Sequence, residues 1–129
     1  MSTGELDLSQ PKRIHLLGIG GAGMSAIAEV LVGTGHTVTG SDLGQSDALR
    51  RLVDAGVEVA IGHQADNVGP VDVVAHSTAV PADNPELVVA RERGIPVLRR
   101  AEILSAITRA WKTVAVAGTH GKTTTSAML

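Results

Sequence analysis

No cysteine, tyrosine or phenylalanine occurs in these 129 residues, and Trp111 is the single aromatic. The missing thiols exclude disulfides, thiolate metal sites and a cysteine nucleophile, and they agree with a reducing cytoplasm. Without aromatics the apolar mass is Ala, Val, Leu and Ile, the makeup of parallel strands covered on both faces by helices. No apolar run approaches the roughly 18 residues of a membrane span, and the polar stretch from Met1 to Pro11 does not read as a signal, so no membrane partner is expected. A net charge of -2 with no basic stripe argues against a nucleic-acid partner. No set of His, Asp and Glu has a metal-binding spacing, so any Mg²⁺ depends on nucleotide phosphates.

What is present is alternation. Arg13 to Leu17 reads as a strand, and Gly20 to Leu31 as a helix with Met24, Ile27, Ala28 and Leu31 on its core face. Strand patterns recur at 37–40, 57–61, 71–75, 96–98 and 113–117. Helices are expected from Ser46 to Ala55, stopped by Gly56, and from Asn84 to Gly94, where Pro85 and Glu86 favour the start. Another is expected from Ala101 to Arg109. Strands joined by short helical crossovers imply right-handed βαβ units. The fold expected is α/β, a Rossmann-like open parallel sheet with flanking helices, then the first strand and phosphate loop of a second domain. Residues 1–11 are expected as a flexible N-terminus, 12–109 as the first domain, and 110–129 as a linker and the start of the second.

Ligands of such sheets bind beyond the carboxyl ends of the strands. There the chain places Gly18-Ile19-Gly20-Gly21-Ala22-Gly23, then Ser41-Asp42, Gly62-His63, His76-Ser77-Thr78 and Arg99-Arg100. The first of these fits G-x-G-x-x-G: Gly18 for the tight turn, Gly20 for approach of a pyrophosphate, Gly23 for close helix–strand packing. Asp42, about 20 residues on, is where an acid commonly accepts from a ribose. By position His63 and His76 are ligand candidates, His15 is structural, and His36 belongs to a solvent-facing turn. Arg99 and Arg100 either steer an anion or form a solvated helix start.

A second phosphate cradle stands at the end of the chain: Gly118-Thr119-His120-Gly121-Lys122-Thr123-Thr124. Glycines there free amides for an anion, Lys122 adds charge, and the Thr123 hydroxyl suits Mg²⁺. Only Ser126 to Leu129 follow Thr125, so the metal-holding acids of an ATP-using enzyme are expected elsewhere.

The two loops together, with Ala117 to Thr125 as a shifted phosphate loop, resemble the Mur ligases of bacterial cell-wall synthesis. His120, and the run from Ile14 to Ala28, are similar to the branch acting on UDP-N-acetylmuramate; Gly40-Ser41-Asp42, Ile61-Gly62-His63 and Asp83-Asn84-Pro85-Glu86 strengthen the likeness. The resemblance implies an ATP- and Mg²⁺-dependent ligase of peptidoglycan synthesis that joins L-alanine to UDP-N-acetylmuramate through an acyl phosphate. It implies substrate contacts from Gly18, Gly20, Gly21, Ala22, Gly23, Met24, Ser41, Asp42, His63, Ser77, Thr78 and Ala79. ATP would meet Gly118 to Thr124, with Lys122 on the β/γ-phosphates and Thr123 on the metal. The part in hand is expected to bind but not to catalyse. The competing reading, an NAD-binding domain of an oxidoreductase, has the glycine loop and Asp42 in its favour and leaves the terminal loop without a use.

Overall fold

The computed structural model describes residues 6–118. Five strands, β1 (Arg13–Leu17), β2 (Thr37–Asp42), β3 (Glu58–Ile61), β4 (Val73–His76) and β5 (Val97–Arg99), form one sheet. Its order is β3-β2-β1-β4-β5, and every pairing is parallel. The helices are α1 (Ala22–Gly33), α2 (Asp47–Asp54), α3 (Pro85–Glu92) and α4 (Arg100–Gly118), with a 3₁₀ turn at Ala65–Asn67. The Rossmann-like α/β sheet is thus as expected from the sequence.

The two-residue period of β1 decides which helix meets which side chain. Ile14 and Leu16 point to one face, where they join Met24, Ile27 and Leu31 of α1, Leu49 and Leu52 of α2, and Ile103 and Ala106 of α4. Leu17 points to the other face and packs with Leu87 and Ala90 of α3. His15 shares that second face by register, and is fully buried there. The apolar pattern of β1 therefore carries one buried polar residue into the layer under α3.

Local signals set the helix ends. The Ser46 hydroxyl accepts from the Leu49 amide, and Asn84 Oδ1 accepts from the Glu86 amide. Gly56 and Gly94 follow their helices at φ 102° and 73°, the left-handed conformation that a helix stop requires.

Two expectations need correction. The segment 113–117, expected as a sixth strand, is helical and belongs to α4. A strand must find a ladder partner for its amides, and no described strand pairs there, so the backbone satisfies itself within the helix. His36 is not solvent-facing: it is buried, and its Nδ1 accepts from the Lys12 amide at 3.1 Å. Burial first, and the Lys12 charge second, lower its pKa from the ordinary value.

Gly40, in the middle of β2, is held by space. A Cβ there would lie 2.5 Å from Ile19 Cδ1 and 2.7 Å from the Leu16 carbonyl oxygen, whereas Gly44 has nothing within 4 Å. Gly40→Ala should lower stability by about 1–3 kcal/mol, and Gly44→Ala should stay within about 0.5 kcal/mol of the parent. Urea unfolding of both variants measures the contrast.

Candidate functional site

The strand order reverses between β1 and β4, since the chain runs outward through β2 and β3 and then returns to the other side of β1. The loops leaving β1 and β4 diverge at that point and open a crevice at their carboxyl ends. Ser77, just past β4, lies across it: its Oγ is 3.7 Å from where a Gly18 Cβ would be. Thr78 and Ala79 form the exposed turn beyond, closed by the Val80 amide on the Ser77 carbonyl. His76 Nδ1 donates to the Ser77 carbonyl at 2.8 Å, so the expected ligand candidate braces its own turn with that nitrogen.

The glycine loop is built mostly from its own hydrogen bonds. Gly18 turns at φ 72°, and the amides of Gly18 and Ile19 both donate to the Ser41 carbonyl at 2.8 and 3.1 Å. The Gly20 amide donates to Asp42 Oδ2 at 2.7 Å, and the Gly21 amide to the Gly18 carbonyl at 3.0 Å. Asp42 Oδ1 accepts from the Leu43 amide. Asp42 therefore ties the β2 end to the loop through Oδ2 and braces the turn after β2 through Oδ1.

Two glycine roles differ from those expected of the motif. At Gly20 the space of the missing side chain is filled by Asp42 Oδ2 and Leu49, not left open to a pyrophosphate. At Gly23 it is filled by Arg100, whose Nη1 stands 2.6 Å from the Cβ position, rather than by a strand. The guanidinium thus lies over the first turn of α1. Gly21, the N-cap of α1, supplies no side-chain cap, and the amides of Ala22, Gly23 and Met24 have no acceptor among the described residues. An uncapped helix start with a cation laid across it favours an anion. Met24 offers only its amide, because its side chain is in the core.

Behind the crevice lies a polar cluster that the sequence does not announce. Glu86, in the first turn of α3, is fully buried. Its Oε1 accepts from His15 Nε2 at 2.5 Å and Ser41 Oγ at 2.7 Å. Its Oε2 accepts from Asn67 Nδ2 at 2.9 Å, the Gln64 amide at 3.1 Å and His63 Nδ1 at 3.3 Å. Asn67 also donates to the Gly62 carbonyl, and His15 Nδ1 meets the Thr39 hydroxyl at 2.8 Å. Ser41, expected to touch substrate, is fully buried with its hydroxyl spent on Glu86 and His63 and its carbonyl on the Gly18 and Ile19 amides. The one signal for Glu86 in the sequence is its place after Asn84-Pro85, which reads equally well as a helix-dipole acid.

Burial by itself would raise the Glu86 pKa. The hydrogen bonds from His15, Asn67 and Ser41 together outweigh it and hold the carboxyl at about 2, against an ordinary value of 4.5. Among the described residues no group of three or more His, Cys, Asp or Glu side chains is arranged to hold a metal ion, and no helix is long and apolar enough to cross a membrane. Residues 119–125 of the terminal loop, Lys122 and Thr123 included, lie outside the described residues; Gly118 is the last residue of α4.

The family model described as Mur ligase family, catalytic domain, matches residues 13–112. The chain belongs to the Mur ligase family. It is 58% identical over 118 residues to a UDP-N-acetylmuramate–L-alanine ligase of Solidesulfovibrio magneticus, covering 92% of this chain and 26% of that protein. A protein of the same description from Rubrobacter xylanophilus is 58% identical over 117 residues, covering 91% and 26%. The crystal structure of the UDP-N-acetylmuramate–alanine ligase of Thermotoga maritima superposes with a TM-score of 0.73 at 35% identity, over 76% of this chain and 23% of that one. This Mur ligase chain thus spans about a quarter of the length of the curated relatives it matches.

The Glu86 carboxyl has a sign-defined effect on acid stability. Its folded pKa lies below its unfolded one, so its contribution is complete above about pH 5 and is lost as pH falls towards 2. The shift from 4.5 to about 2 corresponds to roughly 3 kcal/mol. The stability difference between the parent and Glu86→Gln should shrink by about that amount between pH 5 and pH 2. Urea midpoints across this range measure it; a pH-independent difference would show that the carboxylate charge is not what the cluster holds.

Proposed function

We propose that this chain is the nucleotide-sugar-binding part of a UDP-N-acetylmuramate–L-alanine ligase. In the parent enzyme ATP would phosphorylate the lactyl carboxylate of UDP-N-acetylmuramate, and the amine of L-alanine would displace phosphate to leave an amide. The observation that carries this reading is the 58% identity maintained across 118 residues with proteins of that description. The geometry agrees in kind: an anion-favouring helix start at a topological switch point suits a diphosphate.

In this reading the diphosphate meets the amides of Ala22, Gly23 and Met24 and the guanidinium of Arg100. Gly18, Gly20, Gly21 and Asp42 shape the loop that presents those amides. His63 and the Ser77-Thr78-Ala79 turn flank the uridine. Residues 110–129 open a second, ATP-binding domain in which Gly118 to Thr124 cradle the nucleotide, Lys122 contacts its β/γ-phosphates and Thr123 ligates Mg²⁺. The acids that complete the metal site and the groups that present L-alanine come from further chain. The enzyme acts in the cytoplasm, in peptidoglycan synthesis.

Calorimetry separates this reading from the dehydrogenase alternative. UDP-N-acetylmuramate should bind in the micromolar range, about -8 kcal/mol, while NADH should give no measurable heat. Arg100→Ala should weaken UDP-sugar affinity about tenfold, the loss of roughly 1.4 kcal/mol expected for one exposed charge-assisted contact. Tight NADH binding without UDP-sugar binding would refute the assignment.

A further inference from the structure

His63 is the one member of the Glu86 cluster with a nitrogen left over. Its side chain is 15% exposed, Nδ1 is occupied by Ser41 and Glu86, and Nε2 has no partner among the described residues. A largely buried imidazole with one unmatched nitrogen in the turn at the carboxyl end of β3 is a group built to meet something. Which way that nitrogen acts depends on where the ring proton sits.

The surroundings decide the proton. An ionised carboxylate only accepts, so both Glu86 oxygens require donors. The single proton of Ser41 is committed to Glu86 Oε1 at 2.7 Å, which leaves Ser41 Oγ an acceptor towards His63 Nδ1 at 2.9 Å. Glu86 Oε2, at 3.3 Å from the same nitrogen, is an acceptor as well. The opposite tautomer would set the Nδ1 lone pair against two oxygen lone pairs in a buried place. The remaining neighbours do not offer a way out: Asn67 and the Gln64 amide are already donating to Oε2, and His15 serves Oε1 and Thr39.

We propose that Glu86 is a positioning residue that fixes His63 as the Nδ1–H tautomer, so that His63 Nε2 faces the nucleotide site as a hydrogen-bond acceptor selecting a donor on the ligand. The proposal rests on the nucleotide reading of the crevice. On a uridine nucleotide the donors within the class are the imide N–H of the base and the ribose hydroxyls. Such a site discriminates strongly, because a ligand lacking the donor leaves a buried lone pair unmatched.

Long-range ¹H–¹⁵N spectra of the histidine rings read the tautomer on the unaltered chain. Nε2 of His63 should resonate as an unprotonated, pyridine-like nitrogen and Nδ1 as a protonated one. Glu86→Gln, which can turn an amide N–H towards Nδ1, should shift the ring towards the other tautomer and weaken UDP binding about tenfold. In a His63→Ala background the same change should alter UDP affinity less than twofold, whereas a merely structural role would lower affinity equally in both backgrounds. N3-methyl-UDP, 2′-deoxy-UDP and 3′-deoxy-UDP distinguish the base imide from each ribose hydroxyl as the donor; the analogue lacking it should lose most of its affinity in the parent and little in His63→Ala, and no loss with any of the three overturns the proposal. An Nε2–H tautomer in the parent, or equal losses in both backgrounds, overturns the proposal. The ring spectrum decides it even where Glu86→Gln does not fold. Failure of the parent to bind UDP, with the Nδ1–H tautomer observed, counts against the nucleotide reading and not against the role of Glu86.

Discussion

A single ionised carboxylate under the second face of the sheet constrains most of what surrounds it. Glu86 has no solvent to fall back on, so its two oxygens must be satisfied by protein donors. They are, by groups from β1, β2, the turn after β3 and the 3₁₀ turn beyond it. That requirement brings His15, Ser41, His63 and Asn67 into one place and sets their orientations. Each oxygen has more than one donor, so removing a single one weakens the support of the buried charge without leaving either oxygen bare. The network is accordingly a device for rigidity at the carboxyl ends of the strands.

The same ends carry the glycine loop and the first turn of α1. Ser41 accepts two loop amides on its carbonyl while its hydroxyl serves Glu86, so one residue links the glycine loop to the buried cluster. Asp42 then fastens Gly20 and the turn after β2. These bonds leave the first amides of α1 without acceptors among the described residues, with the Arg100 guanidinium across Gly23. Rigid support behind and unmatched donors in front is the arrangement that binding a diphosphate at low entropic cost requires.

Much of this is legible in the amino-acid sequence, and the divide follows the range of the interaction. Helix caps at Ser46 and Asn84 and the stops at Gly56 and Gly94 depend on neighbours within a few residues, and all are readable there. The parallel sheet follows from alternation and short connections. The Glu86 cluster joins residues 71, 45 and 23 positions apart, so it appears only once β1 is known to lie between β2 and β4. The glycine motif is visible, yet the occupants of Gly20 and Gly23 are not, since a motif says that space is needed and not what fills it. The burial of His36 is equally hidden, because its turn reads as polar. At 113–117 the β-branched run suggests a strand, while the helical backbone there reflects the absence of a described pairing strand.

The central claim is that ligand binds at the carboxyl edge braced by Glu86, and not elsewhere on the sheet. A second groove of about 550 Å³, lined by Arg13, Thr37, Glu58 and Pro70 among others and sharing Thr39 and Asn67 with the surroundings of Glu86, provides the contrast because it contains no residue of the glycine loop. Titration of the ¹⁵N-labelled chain with UDP-N-acetylmuramate, followed through backbone amide shifts, tests this most directly. The largest changes are expected at Gly21, Ala22 and Gly23, with His63 and Gln64 next. Changes concentrated at Arg13, Thr37 and Glu58, with the glycine loop unmoved, would contradict it.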